Sequence, residues 1–168
     1  KDGRKMFAYR FSGYWKDVGT ISSLWEDNME IMDPETSGIN LFDEDWKVYS
    51  RNSGLPGHKI GANAVIENSM ITDGCRIDGS VKHSILFAGV KVEKGAVVKD
   101  AVVLANSVIK ANACVSYSII DENVTVGKKA KIGVEKDPKA EIVVLGRDIC
   151  VADGVSVTEG QKHEKDIT

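Results

Sequence analysis

The chain has 168 residues, 42% of them apolar and 28% charged, ordinary values for a soluble globular protein holding one domain, or one domain with a piece of another. Its net charge of −3 has no basic block behind it, which argues against a nucleic-acid or anionic-membrane partner. No apolar run nears the roughly 18 residues of a membrane span, Ile142-Val143-Val144-Leu145 being typical of the longest, and no signal-peptide pattern opens the sequence.

Met6 to Phe11 alternates like a strand, with Phe7, Tyr9 and Phe11 on one face and Met6, Ala8 and Arg10 on the other. Nothing in the next thirty or so residues offers it an antiparallel neighbour, and a lone strand is unstable in water. With a start at Lys1-Asp2-Gly3-Arg4 and no initiator methionine, the expectation is a piece of a longer chain that holds the rest of that sheet. A helix follows. Thr20 is a plausible N-cap, Ser23-Leu24-Trp25-Glu26 offers a second capping box, and Ile21, Leu24, Trp25 and Met32 form a stripe interrupted by Asn28. Asp33-Pro34 should stop it, because proline disfavours helical geometry in the residue before it. Residues 34–57 read as a connector, with a short strand at Trp46-Lys47-Val48-Tyr49-Ser50.

From Ile60 the sequence repeats every 17 residues in aliphatic steps of six, six and five. Leu86, Val103 and Ile120 mark one step, Val92, Ile109 and Val126 another, and Val98, Val115 and Ile132 the third. An amphipathic helix recurs at three and four, so this is no helix. A three-sided coil of parallel strands needs one inward aliphatic per face and one turn per corner, which is what the repeat supplies. The inward set is Ile60, Ile66, Ile71, Ile77, Val81, Leu86, Val92, Val98, Val103, Ile109, Val115, Ile120, Val126 and Ile132. Asn63, Gly74, Gly95, Asn106, Asn112 and Asn123 follow by three, residue types that tolerate the left-handed backbone of a tight corner. Small residues come next, at Ala64, Cys75, Ala96, Ser107 and Ala113, and let one corner stack on another.

Two breaks interrupt the period. Ile77 to Leu86 spans nine residues in place of eleven, so one coil is two residues short around Gly79-Ser80-Val81-Lys82. After Gly133 a charged stretch with Pro138 intervenes before the pattern resumes at Ile142, with Gly154 at a later corner. Residues 161–168 are polar and read as a frayed tail. A solenoid needs both ends covered, and the helix and connector are the expected cap for one of them. Cys75, Cys114 and Cys150 are odd in number and form no CxxC, so they read as small buried side chains in a reducing cytosol.

The string Gly13-Tyr14-Trp15-Lys16-Asp17-Val18-Gly19-Thr20, a helix with Leu24-Trp25 and Asn28-Met29, a connector and hexapeptide coils including Ser118-Ile119-Ile120-Asp121-Glu122-Asn123-Val124 together resemble the C-terminal part of bacterial ADP-glucose pyrophosphorylase (glucose-1-phosphate adenylyltransferase). The resemblance implies a mainly β fold: a left-handed parallel β-helix preceded by a strand–helix remnant of an α/β nucleotidyltransferase domain. Handedness comes from the resemblance alone, since parallel crossovers in general are right-handed. The implied division is 1–33 for the end of the nucleotidyltransferase domain, 34–57 for the connector, 58–160 for the β-helix and 161–168 for the tail.

The resemblance further implies a cytoplasmic, homotetrameric, allosteric enzyme of glycogen synthesis in which glucose 1-phosphate attacks ATP and expels pyrophosphate. Asp17 matches a family magnesium ligand and Trp15 an aromatic beside the sugar. Arg147, with Lys128 and Lys129 on a nearby corner, sits where some members place cations for phosphorylated effectors. The glycine-rich nucleotide loop of the family does not occur between Lys1 and Thr168, so this stretch by itself is expected to be inactive. Phe87 is an apolar side chain near a prospective contact face between copies. The rival reading is a hexapeptide acyltransferase, whose general base is a histidine. Of His58, His83 and His163 only His83 lies within the coil, and a solvated corner histidine is the simpler account of it. Another sugar-1-phosphate nucleotidyltransferase is the remaining alternative.

Overall fold

The computed structural model describes residues 3–50 and 52–168. From Lys59 onward they form a parallel β-solenoid with three faces. The first face stacks six rungs, Lys59–Ile60, Arg76–Ile77, Lys91–Val92, Val108–Ile109, Thr125–Val126 and Cys150–Val151. The second runs through Val65–Glu67, Ser80–Lys82, the start of Val97–Val103, the start of Cys114–Ile120, Lys131–Ile132 and Ser156–Val157. The third takes in Met70–Ile71, Ile85–Leu86, the ends of the two long strands, Val143–Leu145 and Lys162–His163. Every pairing is parallel, and the 17-residue step appears directly in register, as in Val98 beside Val115 and Val103 beside Ile120.

The inward aliphatics do what their spacing requires. From Ile77 to Ile132 each named one is at most 1% exposed, and Val143, Leu145, Val151 and Val157 continue the column. The first coil departs from the expectation: Ile60 and Ile66 are exposed, at 42% and 36%, and Ile71 is half-buried. No rung precedes this coil among the described residues, so its aliphatics lack a neighbour on one side. Gly74, Gly95, Asn106, Asn112, Asn123 and Gly154 hold the expected left-handed corners; Asn63 does not. The short coil lies where the spacing placed it: Val65 pairs with Ser80 at an interval of 15, while Ser80 pairs with Val97 at 17. There Gly79 lets the backbone pass so close to the next coil that a Cβ would sit 2.4 Å from the Ala96 carbonyl oxygen.

The tail is ordered, in place of the frayed end expected. Lys162–His163 pairs with Val143–Leu145, and Ile167 bridges to Val151. The Ile167 amide donates to the Cys150 carbonyl at 2.9 Å, and the Asp166 carboxylate accepts from the Cys150 amide at 2.7 Å. Polar composition concealed one more turn of the repeat, whose next inward mark is Ile167.

N-terminal to the solenoid, helix α1 covers Ile21–Glu30. Thr20 is its N-cap and Ser23 completes a reciprocal capping box, leaving the alternative start at Ser23 unused. α1 ends before Pro34, which opens a second short helix, α2 (Pro34–Ser37), closed by Gly38 in the left-handed region. The strands expected at 6–11 and 46–50 are absent. Met6, Phe7, Tyr9 and Phe11 lie outside any regular element and are exposed, as are Trp46 and Tyr49. An alternating pattern needs a ladder partner to become a strand, and no neighbouring strand is there among the described residues.

α1 also corrects the expected cap. It packs on the side of the solenoid, against the third face: Trp25 and Met29 bury themselves on Val102, Ile119 and Ile142, with Tyr117 and Val144 at the margin. The Trp25 indole donates to the Asp100 carbonyl at 2.8 Å, so its one polar atom is satisfied in a buried position. The charged stretch after Gly133 folds back over this contact. Lys99 and Glu135 pair, and the Lys136 ammonium stands 4.4 Å from the centroid of the Trp25 ring.

Candidate functional site

The segment before α1 is held by side chains, because it makes no ladder. Lys16 reaches two acids on α1: it pairs with Glu30 and lies 3.4 Å from Asp27. Glu30 in the main, with burial opposing it, holds the Lys16 ammonium above its ordinary value. Burial, followed by the charges of Asp27 and Glu30, likewise pushes the Tyr14 phenol up. Tyr14 and Lys16 thus face the acid pair of the helix. Trp15 and Asp17, the candidate sugar neighbour and candidate metal ligand, are exposed, Trp15 by 74%. Gly19 leaves room for the Asp17 carboxylate, which a Cβ at Gly19 would meet at 3.3 Å.

A carboxylate is the hard oxygen donor that magnesium accepts, but the ion seeks six oxygens in an octahedron. Among the described residues no cluster of three histidines, cysteines or carboxylates is present. Asp17 by itself would supply one of those oxygens.

The three candidate effector cations occupy two different edges. Lys128 and Lys129 form the corner leaving the first face after Thr125–Val126, with Lys129 in the left-handed region at φ 58°. Arg147 is on the corner entering that face, one residue before Asp148. Arg147 is paired with Glu122 at 3.0 Å, both side chains largely in solvent. The three cations are not brought together.

The sequence reading missed a cluster at the corner between the second and third faces. Asn68, His83, Asp100 and Tyr117 all have positive φ there, at 38°, 42°, 52° and 39°. His83 Nδ1 lies 2.6 Å from Asp100 Oδ1, and Asp100 is only 9% exposed. The Trp25 ring meets Tyr117 edge-on at 5.0 Å and His83 at 6.4 Å. His83 is a corner residue as expected, but it is tied to Asp100 and not simply solvated. Histidine and tyrosine are not usual turn residues and aspartate occurs here without the glycine or asparagine of the other corners, so composition gave little sign of this corner; the 17-residue interval from His83 to Asp100 to Tyr117 was the available signal. No helix among the described residues is long and apolar enough to cross a membrane.

The model of the family described as GlmU-like, C-terminal hexapeptide, matches residues 56–152. A glucose-1-phosphate adenylyltransferase of Acetivibrio thermocellus is 41% identical over 168 aligned positions, which take in 94% of this chain and 39% of the relative. Proteins of the same name from Bacillus thuringiensis strain Al Hakam and Bacillus mycoides are 45% and 44% identical over 136 positions, covering 81% of this chain and 36% of each relative. The chain thus spans well under half the length of the curated relatives it matches, at their C-terminal portion. Because the family match and the stacked six-rung face coincide along the sequence, the chain belongs to the GlmU-like C-terminal hexapeptide family.

Proposed function

We propose that this chain is the C-terminal β-helix portion of a glucose-1-phosphate adenylyltransferase, the enzyme that makes ADP-glucose and pyrophosphate from ATP and glucose 1-phosphate. The observation that carries the reading is identity of 41% across 94% of the chain, which extends beyond the hexapeptide coils. Coils alone are shared by acyltransferases as well. The Asp100 carboxylate on His83 Nδ1 would suit a base acting through Nε2, so what favours the adenylyltransferase reading is the identity beyond the coils and not the setting of His83.

In this reading the nucleotide-binding groups reside in the part of the protein outside this chain, and the solenoid serves assembly and regulation, as a homo-oligomer in the cytoplasm. Phe87, 37% exposed on the third-face corner, is the side chain proposed to contact a second copy. Asp17 supplies one magnesium ligand and Trp15 lies beside the sugar. Magnesium, when bound, neutralises charge on the phosphates during the displacement. What the chain itself contributes is a carboxylate presented in water on a braced segment. Arg147 is the proposed effector cation: its pair with Glu122 is exposed and worth little, about 0–1 kcal/mol, so an anion can displace it. Lys128 and Lys129, on the other edge, attract the same anion only at longer range.

The test is ADP-glucose formation from ATP, glucose 1-phosphate and magnesium. The intact protein should turn over and residues 1–168 alone should not. Turnover by this chain alone overturns the division of labour; acetyl transfer from acetyl-CoA, with no ADP-glucose from the intact protein, overturns the reading altogether.

A further inference from the structure

Asp27 is an unusual residue to find where it is. It is 9% exposed on α1, and neither of its carboxylate oxygens accepts a hydrogen bond. Glu30 stands three residues on, one turn away on the same helix face, where a second negative charge is unfavourable. A buried, unbonded carboxylate beside a like charge needs a cation. The Lys16 ammonium is that cation, contacting both acids. Its sequence neighbours Trp15 and Asp17 are left in solvent.

α1 is also fixed to the solenoid, through Trp25, at a cost. The left-handed backbone is disfavoured by roughly 1–2 kcal/mol for most residues with a Cβ, less for aspartate, yet Tyr117 adopts it, after His83 and Asp100 on the two preceding coils. The other two corner columns place glycine or asparagine at most of their left-handed positions. The costly residues are the ones that meet Trp25: Tyr117 and His83 through their rings, and Asp100 through its carbonyl and its bond to His83. Strain kept where side chains receive a neighbouring element points to a role for those side chains.

We infer that Lys16 is a positioning residue: with α1 locked to the solenoid by the His83–Asp100–Tyr117 corner, the Lys16 bridge to Asp27 and Glu30 fixes where Asp17 is presented. The functional half of this inference rests on Asp17 being a magnesium ligand; the mechanical half does not.

Two measurements separate the halves. In residues 1–168, Tyr117→Gly removes the ring that meets Trp25 and relieves the corner. The solenoid should melt no earlier, while amide exchange across Ile21–Glu30 accelerates about ten-fold or more and Trp25 becomes open to acrylamide quenching. His83→Gly is the second variant should the first not fold. Unchanged helix exchange in both overturns the joint. In the intact enzyme, Lys16→Met should raise the magnesium concentration for half-activity about three- to ten-fold with kcat at saturating magnesium nearly retained. Lys16→Arg should restore it, and in an Asp27→Asn background the Lys16→Met effect should shrink, because less charge is left uncompensated. A magnesium curve unmoved by Lys16→Met, in a protein where Asp17→Asn does move it, overturns the positioning role. If Asp17→Asn leaves the curve unmoved, the reading of Asp17 falls, and the exchange data alone judge the joint.

Discussion

Residues 59–167 and residues 3–57 contain comparable aliphatic and aromatic side chains, yet one stretch buries them and the other does not. In the solenoid, Leu86, Ile109 and Ile120 reach 0% exposure, because each coil supplies a rung above and below the next. Before it, Phe7, Tyr9, Trp15, Trp46 and Tyr49 are each at least 74% exposed. The difference is one of partners and not of hydrophobicity. A repeat manufactures its own neighbour every 17 residues, whereas a single alternating segment must find one elsewhere. Only α1 escapes, by laying Trp25 on the outside of the third face.

That contrast can be broken most forcefully in the column. Ile120→Ala should cost about 3 kcal/mol in urea unfolding, from lost transfer energy plus the cavity left between rigid rungs. Tyr9→Ala, at a position 89% exposed, should stay within about 0.5 kcal/mol. Similar costs at both sites would mean that the N-terminal segment is packed in solution. Gly79→Ala asks whether the short coil is as tightly stacked as the rest. Its new Cβ meets backbone oxygens of Ala96 and Glu93, at 2.4 and 2.8 Å, and these cannot swing away. A loss of about 2 kcal/mol is expected, and a neutral result would show that the two-residue deletion leaves slack.

A finer test exploits sign. Ser107 is fully buried, donating to the Asp121 carbonyl and accepting from the Val124 amide, so Ser107→Ala should cost about 1 kcal/mol. Ser118 is equally buried with no partner for its hydroxyl, so Ser118→Ala should be neutral or stabilising. The smallest effect is chemical. A thiol reagent at neutral pH should label exposed Cys150 and spare Cys75, whose thiol is pushed up by burial. Because that shift favours the protonated thiol in the folded state, its contribution is present at neutral pH and is lost as pH rises past the ordinary thiol range. Equal labelling would mean that the core opens readily.

The solenoid was largely legible because its rule is periodic: one aliphatic per face and one asparagine or glycine at most corners. The corner at His83, Asp100 and Tyr117 was not, because those residues serve a neighbour and not the turn. The docking of α1 on a side face was illegible for a related reason: Trp25 reads as core in any arrangement, and what receives it are Val102 and Ile119, outward residues indistinguishable by period from solvated ones. Of the candidate site residues, the Asp17 and Trp15 segment was read from a motif and lies braced on α1, but Lys16, the residue that braces it, carries no signal until Asp27 is seen to be buried. Arg147 and the lysine pair looked adjacent because a corner was counted in sequence, and a face of the prism separates them.

The last coil has a further meaning. A parallel stack is open-ended in principle: whatever rung is last offers amides and carbonyls to another strand, from its own chain or a stranger's. Here Asp166 occupies the Cys150 amide with a carboxylate, and Ile167 takes both remaining bonds at that edge. On the first face, then, the Cys150 amide, the Cys150 carbonyl and the Ala152 amide are all engaged within the chain, and that edge offers a stranger's strand no ladder to join. The Lys59–Ile60 rung at the opposite edge of that face has no such occupant among the described residues, and its Ile60 is 42% exposed.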